Sequence, residues 1–373
     1  MGHNRIDKLT MPQWGFAMTH GRVGDWLAAE GSEITSGDQV LEIETEKAIG
    51  VVESAVEGTI RRHVAQSGQE IPVGGLLAVV ADASVSDEEI DSFVESFTVV
   101  AVNEQTQSLE PAPEYVQVGD RAIHYLKQGD AGAPIVLVHG FTGNLNNWLF
   151  THATLAEERT VYALDLPGHG ASAKDVGDGS IETLSGVLCD WMDALDLPVV
   201  HLVGHSLGGG IVLETALRHP DRIRSCTLIA STGLGKEIDA EYLDGVIQVD
   251  RRKQLKPYLE RLFANPDQVT RQAVDDLLKF KRVDGVREAL TTIAGQLMSD
   301  GQQTAVYRDR VDQIDMPVLV VWGGQDQVVP HDHAAGLPEN WQVKVLEDCG
   351  HMVQMESAVA VNKLIADFLD QCD

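Results

Sequence analysis

The sequence of 373 residues is poor in positive charge and has no long apolar run. It contains 28 Lys and Arg against 57 Asp and Glu, which gives a formal net charge of −29. Such an acidic surface repels nucleic-acid phosphates and anionic lipid, so binding to nucleic acid or to a membrane surface is excluded as the main function. No apolar run approaches the roughly 20 residues that span a bilayer. Apolar residues still make up 43% of the chain, enough for the cores of two domains.

Cysteine is also scarce, and no secretory signal is visible. The four cysteines lack CxxC spacing: Cys189, Cys226, Cys349 and Cys372. This pattern favours free thiols in a reducing compartment over a disulfide framework or a zinc site. Residues 1–8 contain no apolar segment of the kind that a signal peptide needs. A soluble, cytoplasmic protein without a metal site is therefore expected.

An internal repeat occupies residues 1–80. Five residues recur with a constant offset of 37: Gly21, Gly31, Glu33, Ile34 and Gly37 match Gly58, Gly68, Glu70, Ile71 and Gly74. Strand-like alternation with glycine at the turns predicts two similar β-units, packed face to face as a small flattened β-barrel. Lys47 lies near the tip of a predicted hairpin that joins the copies. An isolated lysine in such a turn is usually only a solvated side chain.

Residues 81–113 have the composition of an acidic linker, with eight acidic residues and no Lys or Arg. Ser86 and Glu89 have capping-box spacing, and Ile90, Phe93 and Phe97 share one helical face. One short helix docked on a neighbouring domain is predicted here. Residues 98–113 are expected to be mobile, because like charges extend a tether.

Residues 114–373 predict a second domain with a largely parallel sheet. Six apolar β-runs alternate with amphipathic helices: Ile135–Val138, Val161–Leu164, Val199–Val203, Cys226–Ile229, Val318–Val321 and Val343–Leu346. Continuous runs of this kind suit strands that are buried on both faces. Between about residues 234 and 310 the runs stop and helical periodicity takes over, which predicts a lid over one end of the sheet.

The segment Gly204-His205-Ser206-Leu207-Gly208 has the G-x-S-x-G pattern of a nucleophile elbow between a strand and a helix. The glycines relieve crowding at a sharp turn, and the helix N-terminus favours a developing oxyanion at Ser206. The second oxyanion donor is expected after Ile135–Val138. The predicted pair of donors is the backbone N–H groups of Phe141 and Leu207.

Asp326 and His351 follow two later predicted strands, so the chain has the order Ser, Asp, His. Serine needs an adjacent base, which histidine supplies near neutral pH, and aspartate orients the imidazole. The predicted catalytic residues are Ser206, His351 and Asp326. Asp332 is the rival acid, although it lies further from the strand end. Cys349 as the nucleophile would lack the elbow.

Two resemblances accompany these motifs. Residues 6–80, with Met11-Pro12-Gln13-Trp14-Gly15 and Ile43-Glu44-Thr45-Glu46-Lys47-Ala48, resemble a lipoyl domain of 2-oxo-acid dehydrogenase complexes. In that family the hairpin lysine carries lipoic acid in amide linkage, which implies attachment at Lys47. Residues 115–373 resemble α/β-hydrolases. The fusion is similar to the acetyltransferase (E2) component of acetoin dehydrogenase complexes.

This resemblance implies a multidomain protein: a lipoyl- or biotinyl-like barrel (1–80), an acidic linker (81–113) and an α/β-hydrolase domain (114–373) with a helical lid. It implies acetyl transfer from lipoamide to coenzyme A. It also implies an E1 partner that uses thiamine diphosphate, an E3 partner that is a dihydrolipoyl dehydrogenase, and a homo-oligomer. The best basic cluster for the phosphates of coenzyme A is Arg251, Arg252, Lys253, Lys256 and Arg261, although a solvated helix face is the favoured explanation of these residues.

The chain departs from most E2 enzymes. Their H-x-x-x-D-G motif is absent, since His3 and Asp7 are followed by Lys8. The linker has no evident peripheral-subunit-binding domain, so the usual E2 active site, trimeric core and docking mode do not carry over. Two further functions stay open. One is an esterase or thioesterase that carries a lipoyl module, and the other is a lipoyl carrier with an inactive hydrolase-like scaffold.

Overall fold

The structure is a computed structural model and describes residues 6–12, 18, 20–35, 37–45, 49–54, 56–82, 84–97 and 113–372. The chain divides into two compact units, Met1–Glu110 and Pro111–Asp373. Among the described residues, no helix is long and apolar enough to cross a membrane.

Within its described residues, unit 1 contains two four-stranded sheets with the orders β1-β8-β6-β3 and β5-β4-β2-β7. The strands are β1 (Ile6–Thr10), β2 (His20–Trp26), β3 (Glu33–Ile34), β4 (Gln39–Glu44), β5 (Ile49–Glu53), β6 (Gly58–His63), β7 (Glu70–Pro72) and β8 (Leu76–Ala81). Repeat-related side chains, such as Val23 with Ile60 and Val40 with Leu77, are buried in one common core. The small β-barrel predicted from the repeat is therefore present.

The two copies of the repeat do not form separate units packed face to face, as the sequence suggested. Strands β1 and β3 of the first copy pair with β6 and β8 of the second, and β2 and β4 pair with β5 and β7. Each sheet thus contains two strands from each copy. The reason is that the apolar residues of both copies share one core, which neither copy encloses alone.

Lys47 lies outside the described residues. The strands that flank it are described: β4 and β5 pair antiparallel, with Glu44 opposite Ile49. Residues 45–48 therefore connect two strand ends that are direct neighbours in the sheet.

Helix α1 (Asp87–Ser96) follows the barrel and packs against it. Ser86 and Glu89 form the predicted capping box. Ile90 is fully buried in a cluster that includes Val79 of β8. Arg61 of β6 donates to the carbonyl oxygens that precede the helix and pairs with Asp87 at 3.0 Å. The helix thus belongs to unit 1, while residues 98–112 lie outside the described residues.

Unit 2 contains an eight-stranded sheet with the order β18-β17-β14-β13-β11-β12-β10-β9. Its strands are β9 (Glu114–Val118), β10 (Arg121–Gln128), β11 (Ile135–Val138), β12 (Val161–Leu164), β13 (Val200–His205), β14 (Ile223–Ile229), β17 (Val318–Gly323) and β18 (Gln342–Leu346). Six of these strands pair parallel with one another, as predicted: β11, β12, β13, β14, β17 and β18. The antiparallel strands β9 and β10 at one end of the sheet were not predicted, because their partly exposed faces break the apolar runs.

Helices of unit 2 cover both faces of this sheet or form an insertion between β14 and β17. They are α2 (Leu149–Leu155), α3 (Ile181–Ala194), α4 (Leu207–Arg218), α5 (Ala240–Gln248), α6 (Arg252–Glu260), α7 (Arg271–Phe280), α8 (Val286–Leu297), α9 (Val353–Glu356) and α10 (Ala358–Leu369). Alternate residues of β11 lie in different cores: Val136 packs in the cluster with α3 and α4, while Ile135 packs in the cluster with α10. Burial on both faces explains the continuous apolar runs.

The predicted helical insertion consists of α5 to α8, between β14 and β17. We call residues 234–310 the cap. The expectation that strands are absent from it was wrong in one detail: two short strands, β15 (Met298–Ser299) and β16 (Gln302–Gln303), form a small antiparallel hairpin. Parallel strands end at one edge of the sheet, so the loops after β11, β13, β17 and β18 meet there.

Candidate active site

Ser206 occupies a sharp turn between β13 and α4. Its backbone has φ 54° and ψ −117°, a conformation that residues other than glycine rarely adopt. Hydrogen bonds hold it there: Ser206 N–H donates to the Ile229 carbonyl at 3.0 Å, and its own carbonyl accepts from Thr232 N–H at 3.1 Å. The side chain is therefore presented at the N-terminus of α4, where helix N–H groups point outward.

The flanking glycines are required by close backbone contacts. A Cβ at Gly204 would lie 2.4 Å from the Gly208 carbonyl oxygen, and one at Gly208 would lie 2.2 Å from the Val138 carbonyl oxygen. Neither contact can be relieved by moving a side chain. The G-x-S-x-G pattern thus follows from the geometry of the turn.

Asp326 and His351 are hydrogen-bonded to each other. His351 Nδ1 lies 2.8 Å from Asp326 Oδ2, and both side chains are almost fully buried. The same carboxylate accepts the N–H groups of Val328 at 2.8 Å and Val329 at 3.0 Å, and the indole N–H of Trp322 at 3.1 Å. A carboxylate held by these donors fixes the orientation of the imidazole.

Among the described residues, the Ser206 hydroxyl makes no hydrogen bond, so the link from Ser206 to His351 is not formed in this structure. The two residues are nevertheless held near each other. His205, which precedes the serine, donates from Nε2 to the His351 carbonyl at 3.0 Å, and the two rings lie 4.8 Å apart. Catalytic hydrogen bonds are often long without substrate and tighten when it binds.

His205 is a residue of the candidate site whose contact with the His351 loop the sequence analysis missed. It is fully buried, and this burial lowers its pKa well below 6.5, so it stays neutral and keeps a proton on Nε2 for the His351 carbonyl. Its position next to Ser206 gave no hint of that contact, because the partner is 146 residues away.

The loop after β11 carries Phe141, whose N–H group is the second predicted oxyanion donor. It is a tight turn in which Gly143 N–H donates to the Gly140 carbonyl at 3.1 Å, and Thr142 has a positive φ of 58°. A Cβ at Gly140 would lie 2.9 Å from Ser206 Cβ, so the loop lies directly against the serine. Within the described ranges, neither Phe141 N–H nor Leu207 N–H donates a hydrogen bond. Both are thus available to an incoming oxygen.

Cap residue Tyr242 of α5 is hydrogen-bonded to Thr142, and burial raises its pKa to about 12. The cap therefore contacts the loop that carries the Phe141 N–H.

The two rival residues are placed less favourably. Asp332 is exposed and lies 3.6 Å from His331, while Cys349 is buried before His351 and has no strand-to-helix turn.

Comparison with known proteins covers both units. The alpha/beta hydrolase fold family matches residues 133–358, and the family described as biotin-requiring enzyme matches residues 7–80. A dihydrolipoyllysine-residue acetyltransferase component of the acetoin cleaving system from Pseudomonas putida is 46% identical over 369 residues, which cover 98% of this chain and 99% of the relative.

The chain belongs to this acetyltransferase family.

A second family member, from Cupriavidus necator, is 40% identical and covers 98% of this chain and 97% of its own length. Among solved structures, a meta-cleavage product hydrolase from Pseudomonas fluorescens superposes with a TM-score of 0.64 at 23% identity, over 71% of this chain and all of that chain. That likeness shows the fold of unit 2. The fold class predicted from sequence, a lipoyl-type barrel followed by an α/β-hydrolase domain with a helical lid, is confirmed.

Membership also accounts for the missing H-x-x-x-D-G motif. In this family, an α/β-hydrolase unit stands where most E2 enzymes have a different transferase domain. The residues around Ser206 and His351 are therefore the candidates for the chemistry of the chain.

Proposed function

We propose that the chain is an acyltransferase that moves an acetyl group from a lipoyl thioester to coenzyme A, using Ser206, His351 and Asp326. The observation that carries this proposal is the His351–Asp326 hydrogen bond beside a serine elbow, in a chain that also contains a lipoyl-type barrel. An imidazole oriented by a buried carboxylate is a base suited to a serine or thiol nucleophile.

In the first half-reaction, His351 takes the proton of the Ser206 hydroxyl, and Oγ forms a bond to the thioester carbonyl carbon. The N–H groups of Phe141 and Leu207 donate to the oxyanion that results. The carbon–sulfur bond then breaks, and His351 returns the proton to the leaving sulfur. The acetyl group remains on Ser206.

In the second half-reaction, His351 takes the proton of the coenzyme A thiol, and its sulfur attacks the acetyl-serine. The bond to Ser206 Oγ breaks, the serine regains its proton, and acetyl-coenzyme A leaves. An alternative route uses the same base without an acyl-enzyme: His351 activates the thiol, which attacks the thioester directly while Ser206 only binds the acyl group.

Lys47 is the proposed attachment site of lipoic acid. The sequence position supports this role, because Lys47 falls in the four-residue connection between the paired strands β4 and β5 of a lipoyl-type domain. The cofactor would supply the sulfur that carries the acyl group. Tethering a thioester to the catalytic unit raises its local concentration to the millimolar range.

The names of the relatives support a place in an acetoin-dehydrogenase-type complex. The partners would be an E1 component that uses thiamine diphosphate and an E3 dihydrolipoyl dehydrogenase, with the chain as a homo-oligomer. The acidic composition and four free thiols are consistent with the cytoplasm.

The basic cluster predicted for coenzyme A is largely neutralised. Arg252 pairs with Asp275, Lys256 pairs with Glu260, and Arg261 pairs with Asp239 and Glu241. The free charge that remains there is therefore small. This pairing favours the interpretation of these residues as a helix surface over a phosphate site.

Hydrolysis is the second candidate function, because the same site with water as acceptor is an esterase or thioesterase. A relative from Cupriavidus pinatubonensis, named a 2-hydroxy-6-oxononadienedioate/2-hydroxy-6-oxononatrienedioate hydrolase, is 30% identical over 66% of this chain. Thioester exchange between thiols is nearly isoenergetic, so a transferase must admit coenzyme A and exclude water.

The two functions are separated by the product formed from free acetyl-dihydrolipoamide and coenzyme A. Transfer predicts acetyl-coenzyme A in excess over acetate, and hydrolysis predicts acetate regardless of coenzyme A. Ser206→Ala should abolish transfer if an acyl-enzyme forms, and mass spectrometry of the wild type should then detect an acetyl group on Ser206. Unchanged transfer in Ser206→Ala and His351→Ala would support the scaffold hypothesis instead.

Attachment at Lys47 is tested separately by the mass of the chain expressed in a lipoylation-competent host with lipoate. A Lys47→Arg variant is the control. An unmodified Lys47 would leave only the catalytic part of the proposal.

A further inference from the structure

A buried carboxyl lies next to the loop that carries His351. Glu356 is the last residue of α9, five positions after the histidine, and is only 8% exposed. Carboxyl groups are seldom buried without partners, so its contacts indicate what it does.

Both carboxyl oxygens of Glu356 accept backbone N–H groups. Oε1 accepts from Gly350 at 2.8 Å, and Oε2 accepts from Ala264 at 2.7 Å. Gly350 directly precedes His351, whereas Ala264 belongs to the cap, shortly after α6. One side chain therefore bridges the histidine loop and the cap.

The backbones of these two segments also touch. Met352 N–H donates to the Leu262 carbonyl at 3.0 Å. A Cβ at Gly350 would lie 2.6 Å from the backbone nitrogen of Ala264. The residues on both sides of His351 are thus held by the same short segment of the cap.

Burial raises the pKa of Glu356 to about 7. The two accepted N–H groups and the charge of His351 act in the opposite direction, while the charge of Asp326 adds to the effect of burial. The carboxyl therefore changes its charge close to neutral pH.

The other elements packed against α9 contribute little charge. Helix α2 carries His152, whose pKa burial lowers to about 4, so this ring is neutral near pH 7. Helix α10 carries the exposed Lys363 and Asp367, which pair with each other at 3.1 Å. His351 and Asp326 are thus the charged groups that matter for Glu356.

We propose that Glu356 is a positioning residue that couples the cap to the catalytic base, holding the His351 loop at the place where the imidazole reaches Ser206. The inference rests on the proposed role of His351. When ionised, the carboxylate accepts both N–H groups in charge-assisted bonds, and when protonated it holds them less firmly. The position of His351 therefore depends on contact with the cap and on the ionisation of Glu356, in addition to the ionisation of His351 itself.

The test compares Glu356→Gln with the wild type. The amide has nearly the same shape, but its NH₂ group must face one of the two N–H donors, so one bond is lost. We expect kcat for acetyl-coenzyme A formation from free acetyl-dihydrolipoamide to fall ~10–100-fold, as for a misplaced catalytic group, with KM little changed. The matched control is Glu214→Gln, a 4% exposed carboxyl of α4 paired with Arg218, which should leave kcat unchanged.

The pH profile gives a readout that a purely structural role would not move. Ser206 is labelled with a fluorophosphonate. The rate of labelling is measured over a pH range of about two units on either side of neutrality, from about pH 5 to about pH 9. Below neutral pH, the labelling rate of the wild type and of Glu214→Gln should fall with the protonation of two groups. The labelling rate of Glu356→Gln should fall with the protonation of only one. The proposal would be overturned if Glu356→Gln lowered the melting temperature but left kcat and the acidic part of the pH profile as in the wild type.

Glu356→Asp covers the case in which the glutamine variant does not fold. It keeps the charge but is shorter by one methylene, so it reaches only one N–H donor. The inference is supported if Glu356→Asp has an intermediate kcat and its labelling rate still depends on two ionisations below neutral pH. A wild-type kcat contradicts it. Labelling does not need coenzyme A, so a wild type that makes no acetyl-coenzyme A would refute acyl transfer while the role of Glu356 is still tested.

Discussion

Asp326→Asn is the most demanding test of the catalytic arrangement. The Asp326 side chain is fully buried and surrounded by four donors: the backbone N–H groups of Val328 and Val329 at Oδ1, and the Trp322 indole and His351 Nδ1 at Oδ2. An ionised carboxylate can accept from all four. Asparagine has one oxygen and one NH₂ group, so two of the donors meet another donor.

The backbone donors cannot turn away, so the asparagine oxygen should remain with Val328 and Val329. The NH₂ group then faces His351 Nδ1, which must become an acceptor and move its proton to Nε2. In that tautomer, His351 cannot take a proton from Ser206. We expect kcat to fall ~10⁴-fold, or about 5.4 kcal/mol in activation free energy. The Trp322 indole N–H still donates to the Val329 carbonyl at 3.0 Å, so the second N–H of the asparagine amide is the donor without an acceptor. Its burial should lower the free energy of unfolding by about 1–3 kcal/mol.

The assay is acetyl-coenzyme A formation, with thermal unfolding measured in parallel and ¹⁵N NMR to report the His351 tautomer. Asp332→Asn is the control, because the Asp332 side chain is 90% exposed and should tolerate the change. An Asp326→Asn variant with kcat within about tenfold of the wild type would refute the assignment of the acid. Loss of activity in Asp332→Asn alone would transfer the role to the rival residue.

Three further outcomes are expected. Gly140→Ala places a Cβ 2.9 Å from Ser206 Cβ, so kcat should fall ~10–100-fold while the melting temperature changes little; an unchanged kcat would contradict the tight loop. Ile90→Ala should weaken the packing of α1 by ~2–5 kcal/mol and speed amide exchange in α1, without changing turnover of a free thioester. Burial lowers the pKa values of His152 to about 4 and of His169 to about 3. The unfolded chain protonates these residues below about pH 6.5, so stability should be full above that pH and fall as the pH decreases toward 4. Calorimetry that finds no such fall would show that the two rings are not kept neutral.

Much of the fold could be predicted because its signals are local. Interior strands such as β11 and β12 are buried on both faces and give unbroken apolar runs. The antiparallel strands β9 and β10 contain partly exposed polar residues and resemble loops in sequence. The repeat predicted the barrel but not its pairing, because the offset of 37 residues carries no information on which strands become neighbours.

The candidate site divides in the same way. Ser206, Asp326 and His351 follow strand ends within short motifs, so local sequence was enough to propose them. Glu356 and Ala264 are 92 residues apart, and His205 and His351 are 146 apart. Contacts of this kind depend on how the cap and the loops pack, which no periodicity records. The supporting residues of the site therefore became visible only in three dimensions.

The pairing of strands in the barrel has a consequence for how this unit can fold. Each sheet takes half of its strands from each copy of the repeat, so one copy alone would leave both sheets with open edges and uncovered apolar side chains. One copy of the repeat should therefore not fold without the other, and truncation near residue 45 should yield no ordered fragment. Folding of the barrel must be a single cooperative event in which the two copies assemble together.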